Sequence, residues 1–239
     1  MKTPDEYRTM RDSWPQVQVA LDFVRLGDAL RIARMAVSAG VEWVEAGTPL
    51  IKSEGMRAVR VLSQSFPRNS VVADMKTLDA GSIECEMGFR AGAKVVSVSG
   101  LAHDSTIRDS VRTASKYDRL LMADLLMSPQ PRTRARELEK LGVDMVCLHT
   151  GIDAQKALHS KLKVSRNVRD IAQALRIPVA AAGGITPNAV EGLVRAGVKV
   201  VIVGGWITSS KDPARASRQM VEKVRDAARL GPVESAPAH

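Results

Sequence analysis

Ser70-Val-Val-Ala-Asp-Met-Lys-Thr-Leu-Asp79 is a β-branched, apolar run that stops abruptly in charge. It reads as a strand over residues 70–74, with Lys76 and Asp79 following its carboxyl end. The pattern repeats along the chain. Similar short runs occupy residues 17–22, 41–45, 94–98, 120–124, 144–149, 178–182 and 199–203, each followed by an amphipathic stretch of helical period. Several begin just after a glycine turn, at Ala39-Gly40-Val41, Ala91-Gly92-Ala93, Leu141-Gly142-Val143 and Ala196-Gly197-Val198, where glycine can end a helix in the left-handed conformation. Eight alternating units with strands of near-continuous hydrophobicity predict an α/β fold, a single (β/α)8 TIM barrel over residues 1–239, with an open doubly wound sheet as the alternative. Residues 1–15 and 231–239 are expected to be loose or docking ends.

The 239 residues are 45% hydrophobic but only 3% aromatic, so a large core has to be built from Val, Ile, Leu, Ala and Met. Cys85 and Cys147 are the only cysteines, and their placement offers neither a disulfide framework nor metal-type spacing, which fits a reducing cytosol. No apolar run approaches the roughly 20 residues of a membrane span, and the early charges leave no apolar export segment. A soluble, cytoplasmic protein is expected. The net charge of +9 would suit nucleic acid if it were clustered. It is scattered instead, with carboxylates interleaved, and the densest run, Arg132-Thr-Arg-Ala-Arg136, is followed by Glu137 and Glu139. Solvated helix faces are expected, with no nucleic-acid or membrane partner.

In a barrel of this kind the active site lies at the carboxyl ends of the strands. There the sequence places Asp22, Glu45, Asp74, Asp124 and His149, with Lys76 and Asp79 just past Asp74. Each alone could be a helix cap or a structural group. Converging on one mouth, the carboxylates would repel unless cations balanced them; Lys76 is one, and a divalent metal is the natural second. Glu45 and Asp74, on neighbouring strands, are the pair best placed to bind a hard ion through oxygen. With no second histidine or cysteine nearby, magnesium is favoured over zinc, with manganese able to take its place. Gly183-Gly184 and Gly204-Gly205 each follow a strand and open a helix, so their backbone N–H groups suit a phosphate.

Six segments together carry a family likeness: Ala20-Leu-Asp22, Val44-Glu-Ala-Gly-Thr-Pro-Leu-Ile51, Ala73-Asp-Met-Lys-Thr-Leu-Asp-Ala-Gly81, Leu148-His-Thr-Gly-Ile-Asp153, Ala182-Gly-Gly-Ile185 and Val203-Gly-Gly-Trp-Ile-Thr208. They resemble the 3-hexulose-6-phosphate synthase family, within the orotidine 5′-monophosphate decarboxylase superfamily. Asp-x-Lys-x-x-Asp marks the superfamily; Glu-x-Gly-Thr-Pro and His-Thr-Gly-x-Asp point to the synthase branch. The resemblance implies that Glu45 and Asp74 bind magnesium, that Lys76 sits against enediolate oxygens and that His149 shuttles a proton. It also implies that Asp22 contacts substrate hydroxyls, that the backbone of Gly184, Gly204 and Gly205 holds the phosphate, and that the protein is a homodimer in which Asp79 reaches the partner's site. The implied reaction is reversible aldol addition of formaldehyde to D-ribulose 5-phosphate, giving D-arabino-3-hexulose 6-phosphate.

The sequence departs from the family pattern at Ile152 and Trp206 and in the basic stretch 156–169. These could alter substrate fit. Two alternatives remain beside the synthase: 3-keto-L-gulonate 6-phosphate decarboxylation on the same enediolate site, and a basic barrel that binds RNA or protein. The decarboxylase branch carries an arginine after the histidine, whereas Thr150, Gly151 and Ile152 follow His149 here.

Overall fold

Eight strands, all parallel, hydrogen-bond each to the next, and the eighth returns to the first. They are β1 (Gln16–Leu21), β2 (Trp43–Ala46), β3 (Ser70–Thr77), β4 (Val95–Ser99), β5 (Leu120–Asp124), β6 (Met145–His149), β7 (Val179–Ala182) and β8 (Val200–Val203). The computed structural model describes residues 15–157 and 166–231, and over these the expected closed (β/α)8 barrel forms. The expectation of loose ends concerns residues that, apart from 15 and 231, lie outside the described ones. So do residues 158–165 of the basic stretch.

Helices cover the barrel in chain order: α1 (Leu26–Ser38), α2 (Thr48–Glu54), α3 (Met56–Ser65), α4 (Gly81–Arg90), α5 (Asp104–Lys116), α6 (Pro131–Leu141), α7 (Ile152–Ala157), α8 (Arg166–Ala174), α9 (Pro187–Arg195), α10 (Gly205–Thr208) and α11 (Pro213–Arg229). The period of two in each strand divides the core into two parts. Val17, Val19, Leu21, Val71 and Ala73 face outward and pack under the helices. Ala20, Val72, Val95, Met122 and Met145 face inward and fill the barrel. Helices and strands thus share one core, while a narrow second one runs up the barrel axis.

Four helices end by one device. Gly40, Gly92, Gly142 and Gly197 take φ values of 99°, 103°, 95° and 106°. The next residue then returns its N–H to the helix, Val41 to the Ala36 carbonyl, Ala93 to Gly88, Val143 to Leu138 and Val198 to Leu193. This six-to-one closure leaves the apolar residue after glycine buried against the helix it has just left. It explains why β2 starts at Trp43 rather than at Val41. Asp118, with φ of 50°, performs the same turn after α5 without a glycine.

One strand is irregular. Ala73 pairs with Val96 and Thr77 with Val98, so Asp74, Met75 and Lys76 stand opposite the single residue Ser97. The extra residues carry β3 beyond Asp74, the end expected from the sequence, and Lys76 adopts φ of 47°.

The amino-end floor of the barrel uses one of the rare aromatics. Trp43 is buried, and its indole Nε1 donates to Gln16 Oε1 at 2.7 Å. Trp43→Ala is expected to cost about 3–5 kcal/mol, whereas Trp43→Phe, which keeps most of the bulk and loses the hydrogen bond, should cost about 1 kcal/mol beyond any repacking. Urea unfolding midpoints of the three proteins, compared at equal m-values, check the order.

Candidate active site

The inward period of two continues above the apolar layers and brings polar side chains to the carboxyl ends. Glu45, Asp74 and Asp124 are buried there, with Gln18 and Ser97 buried beside them in the middle of β1 and β4. Asp74 accepts from Ser97 Oγ through Oδ1 at 2.7 Å. Its Oδ2 accepts from Thr48 Oγ1 at 2.9 Å and from the ammonium of Lys76 in a very short contact. Lys76 Nζ also reaches Asp124 Oδ2 at 3.2 Å, and the same Asp124 oxygen meets His149 Nδ1 at 2.8 Å. Asp74, Lys76, Asp124 and His149 therefore form one continuous chain of contacts across β3, β5 and β6.

Glu45 accepts from Gln18 Nε2 in another very short contact. Burial first, then Asp74 and Asp22, push Glu45 well above the ordinary carboxylate range, against the pull of Lys76 and Gln18. Asp22 lies one residue past β1, open to solvent on its outer side, and is also pushed upward by loss of hydration and then by Asp74. Burial opposes the charge on Lys76, but Asp74, Asp124 and Glu45 outweigh it and hold its pKa above the ordinary lysine value. Burial likewise disfavours ionised Asp124, and there the His149 hydrogen bond and charge, Lys76 and the Leu126 N–H prevail and hold the carboxyl below its usual range.

The remaining expected residues fall differently. Gly204 follows β8 and precedes α10; a Cβ built there would lie 3.9 Å from Asp22 Oδ2, so this turn borders the same mouth. Gly184 follows β7 with φ of 66°, and Gly205 begins α10. Asp79 is not part of the cluster. It is exposed on the loop after β3 and makes no hydrogen bond or ion pair with another described residue. Ile152 and Trp206 are exposed.

Several contributors went unrecognised in the sequence. Asp124 stood out as a strand end but carried no assigned task; Gln18 and Ser97 lie inside runs that read as apolar. Thr48, at the helix start after β2, belongs to the Glu-x-Gly-Thr-Pro motif but has no role assigned from it. Gly47 is required by space, since a Cβ there would come 2.2 Å from Asp22 Oδ1. Beneath the polar layer, Cys147 is buried, and burial followed by Asp124 raises its pKa well above the ordinary thiol value. Cys85 is buried on the outer side, where burial raises its pKa to about 11. Among the described residues no group of three or more His, Cys, Asp or Glu side chains is arranged to hold a metal ion.

Comparison with known proteins places this geometry. The orotidine 5′-phosphate decarboxylase / HUMPS family matches residues 15–220. A protein of Staphylococcus haemolyticus (strain JCSC1435) named 3-hexulose-6-phosphate synthase is 35% identical over 204 residues, 85% of this chain and 96% of that one. The crystal structure of 3-hexulose-6-phosphate synthase from Salmonella typhimurium is similar with TM-score 0.83 and 32% identity, covering 89% of this chain and 99% of that one. A 3-keto-L-gulonate-6-phosphate decarboxylase from Vibrio cholerae is similar with TM-score 0.79 and 28% identity, covering 90% and 99%. With its closed barrel, its strand-end carboxylates and a match running through all eight strands, the chain belongs to the orotidine 5′-phosphate decarboxylase / HUMPS family.

Proposed function

We propose that this protein is a 3-hexulose-6-phosphate synthase, joining formaldehyde to D-ribulose 5-phosphate to give D-arabino-3-hexulose 6-phosphate in a reversible, metal-dependent aldol reaction. The observation that carries the reading is the ammonium of Lys76 fixed between Asp74 and Asp124, with His149 on the same Asp124 oxygen. The likeness to proteins named for this activity, at 32–35% identity, supports it. The absence of an arginine in the residues directly after His149 argues against the decarboxylase alternative.

The reaction requires loss of a proton from C1 of the ketose, which spreads negative charge over the two adjacent oxygens of an enediolate. Lys76 donates hydrogen bonds to those oxygens and stabilises charge that is larger in the transition state than in the substrate. Asp124, ionised and therefore only an acceptor, holds the His149 proton on Nδ1 and leaves Nε2 free to take the C1 proton. The C1 electron pair then forms the new bond to the formaldehyde carbon, and the former aldehyde oxygen takes up a proton. Asp22 contacts the sugar hydroxyls. The backbone N–H groups of Gly184, Gly204 and Gly205 hold the phosphate.

The donor set of Glu45 and Asp74 suits magnesium, or manganese, because it is all oxygen and because burial and the crowding of Asp22, Glu45 and Asp74 make their negative charge costly beyond what Lys76 offsets, a cost that a cation would reduce. Two carboxylates are the number magnesium uses when it keeps most of its waters. When bound, the ion would supply positive charge beside the enediolate oxygens. The protein is read as a homodimer with Asp79 entering the partner's site. The exposure of Asp79 beside exposed Leu78, Ile83 and Met87 supports that reading.

Purified protein mixed with D-ribulose 5-phosphate, formaldehyde and magnesium should consume formaldehyde, and EDTA should stop consumption until magnesium is returned. Release of carbon dioxide from 3-keto-L-gulonate 6-phosphate with negligible formaldehyde uptake would reverse the assignment. Asp124→Asn, which can offer His149 an N–H in place of an acceptor, should lower kcat by about 10²–10⁴-fold. The same variant tests linkage: a carboxyl held low in the folded state stabilises above its unfolded pKa of about 3.9 and loses that contribution as pH falls through its lower folded value. The stability gap between wild type and Asp124→Asn, from urea melts, should be full at pH 6 and shrink steadily below pH 4. Mixed heterodimers of Asp79→Ala and Lys76→Ala should regain part of the activity that each variant lacks; no recovery would place Asp79 outside the partner's site.

A further inference from the structure

Ser97 sits at the middle of β4, fully buried, opposite the three residues Asp74, Met75 and Lys76 of β3. In a regular parallel pair one residue faces one, and two inward side chains on the same strand stand about two residues of rise apart, roughly 6.6 Å. The irregularity in β3 removes that separation. Both Asp74 and Lys76 turn toward one point, and the ammonium of Lys76 meets the carboxylate only two residues before it. The backbone at Lys76 is left-handed, φ 47°, which an L-residue with a long side chain rarely adopts without support.

The support is a single hydroxyl. Ser97 Oγ accepts from the backbone N–H of Lys76 at 2.9 Å, a donor that the broken ladder leaves without a strand partner. The same oxygen donates to Asp74 Oδ1 at 2.7 Å. A hydroxyl carries one proton, so the two bonds have a fixed direction: the proton goes to the carboxylate and a lone pair receives the amide. One side chain therefore fastens the carboxylate and the backbone of the lysine, on either side of the irregularity.

We infer that Ser97 is a positioning residue for Lys76, setting the bulge that aims the ammonium at the reacting oxygens. The consequence for turnover rests on the function proposed above; the geometric part does not. Ser97 Oγ is committed to the Lys76 N–H and to Asp74 Oδ1. It acts by holding Lys76 in the left-handed backbone conformation from which its nitrogen lies between Asp74 and Asp124.

The test is Ser97→Ala beside Ser97→Thr, which keeps the hydroxyl. In the formaldehyde assay, Ser97→Ala is expected to lower kcat by about 100-fold, the size of effect that a displacement of about 1 Å produces in a reacting group. KM for D-ribulose 5-phosphate should stay within about threefold, and Ser97→Thr should recover most of kcat. A crystal structure of Ser97→Ala should show Lys76 at negative φ with its nitrogen withdrawn from Asp124. Should Ser97→Ala not fold, Ser97→Cys, with its weaker donor and acceptor, takes its place with a loss of about 10-fold expected. Equal kcat in the variant lacking the hydroxyl, or Lys76 unmoved in its structure, overturns the inference. Inactive wild-type protein would instead overturn the proposed function, and the crystal structure would still decide the role of Ser97.

Discussion

The ammonium of Lys76 between Asp74 and Asp124 is the contact around which the mouth of this barrel is organised. Four carboxylates reach the same end of the barrel, and three of them are buried. Charges so placed repel, and burial removes the water that would screen them. The result is visible in Glu45 and Asp22, which are driven toward their neutral forms, while Asp124, with the lysine and histidine beside it, is driven the other way. A difference of environment among chemically similar groups divides their tasks. Glu45 and Asp22 give up their charge most readily, and Asp124 is held as an acceptor for His149.

That arrangement depends in turn on the strand alternation that builds the fold. Each strand sends every second side chain inward, and the small residues Ala20 and Ala182 stand in register with Glu45 and His149. The helices contribute by their ends more than by their faces. Glycine turns return the chain sharply to the sheet before β2, β4, β6 and β8.

Much of this was legible in the chain. The glycine turns, the number of strands and the five polar strand ends could be read because each leaves a local mark: a residue that favours positive φ, or a charge that stops an apolar run. What could not be read depended on register. Asp74 and Lys76, two apart, share a face in any strand, but nothing in their spacing reveals that three residues stand against one. Ser97 and Gln18 each interrupt an apolar run by a single polar residue, which looks the same whether it faces a helix or a carboxylate. Asp124 was visible as a strand end, yet its task arises from contacts with β3 and β6 that no local pattern encodes. Asp79 lies on a loop past the end of β3, and its expected place in a second subunit depends on an assembly that one chain's geometry does not contain.

The two buried thiols acquire a further meaning in a protein proposed to handle formaldehyde. Formaldehyde adds readily to thiolates and to unprotonated amines, and the products can crosslink the protein that captured it. Cys147 lies just beneath the polar layer and Cys85 behind the barrel wall; both are buried, and both have thiol pKa values raised so far that the nucleophilic thiolate is scarce. Lys76 is shielded by the opposite means, since its carboxylate neighbours keep it as an ammonium with no electron pair to offer. Burial of the two thiols and the carboxylates around Lys76 thus leave these three nucleophiles poor targets for the aldehyde.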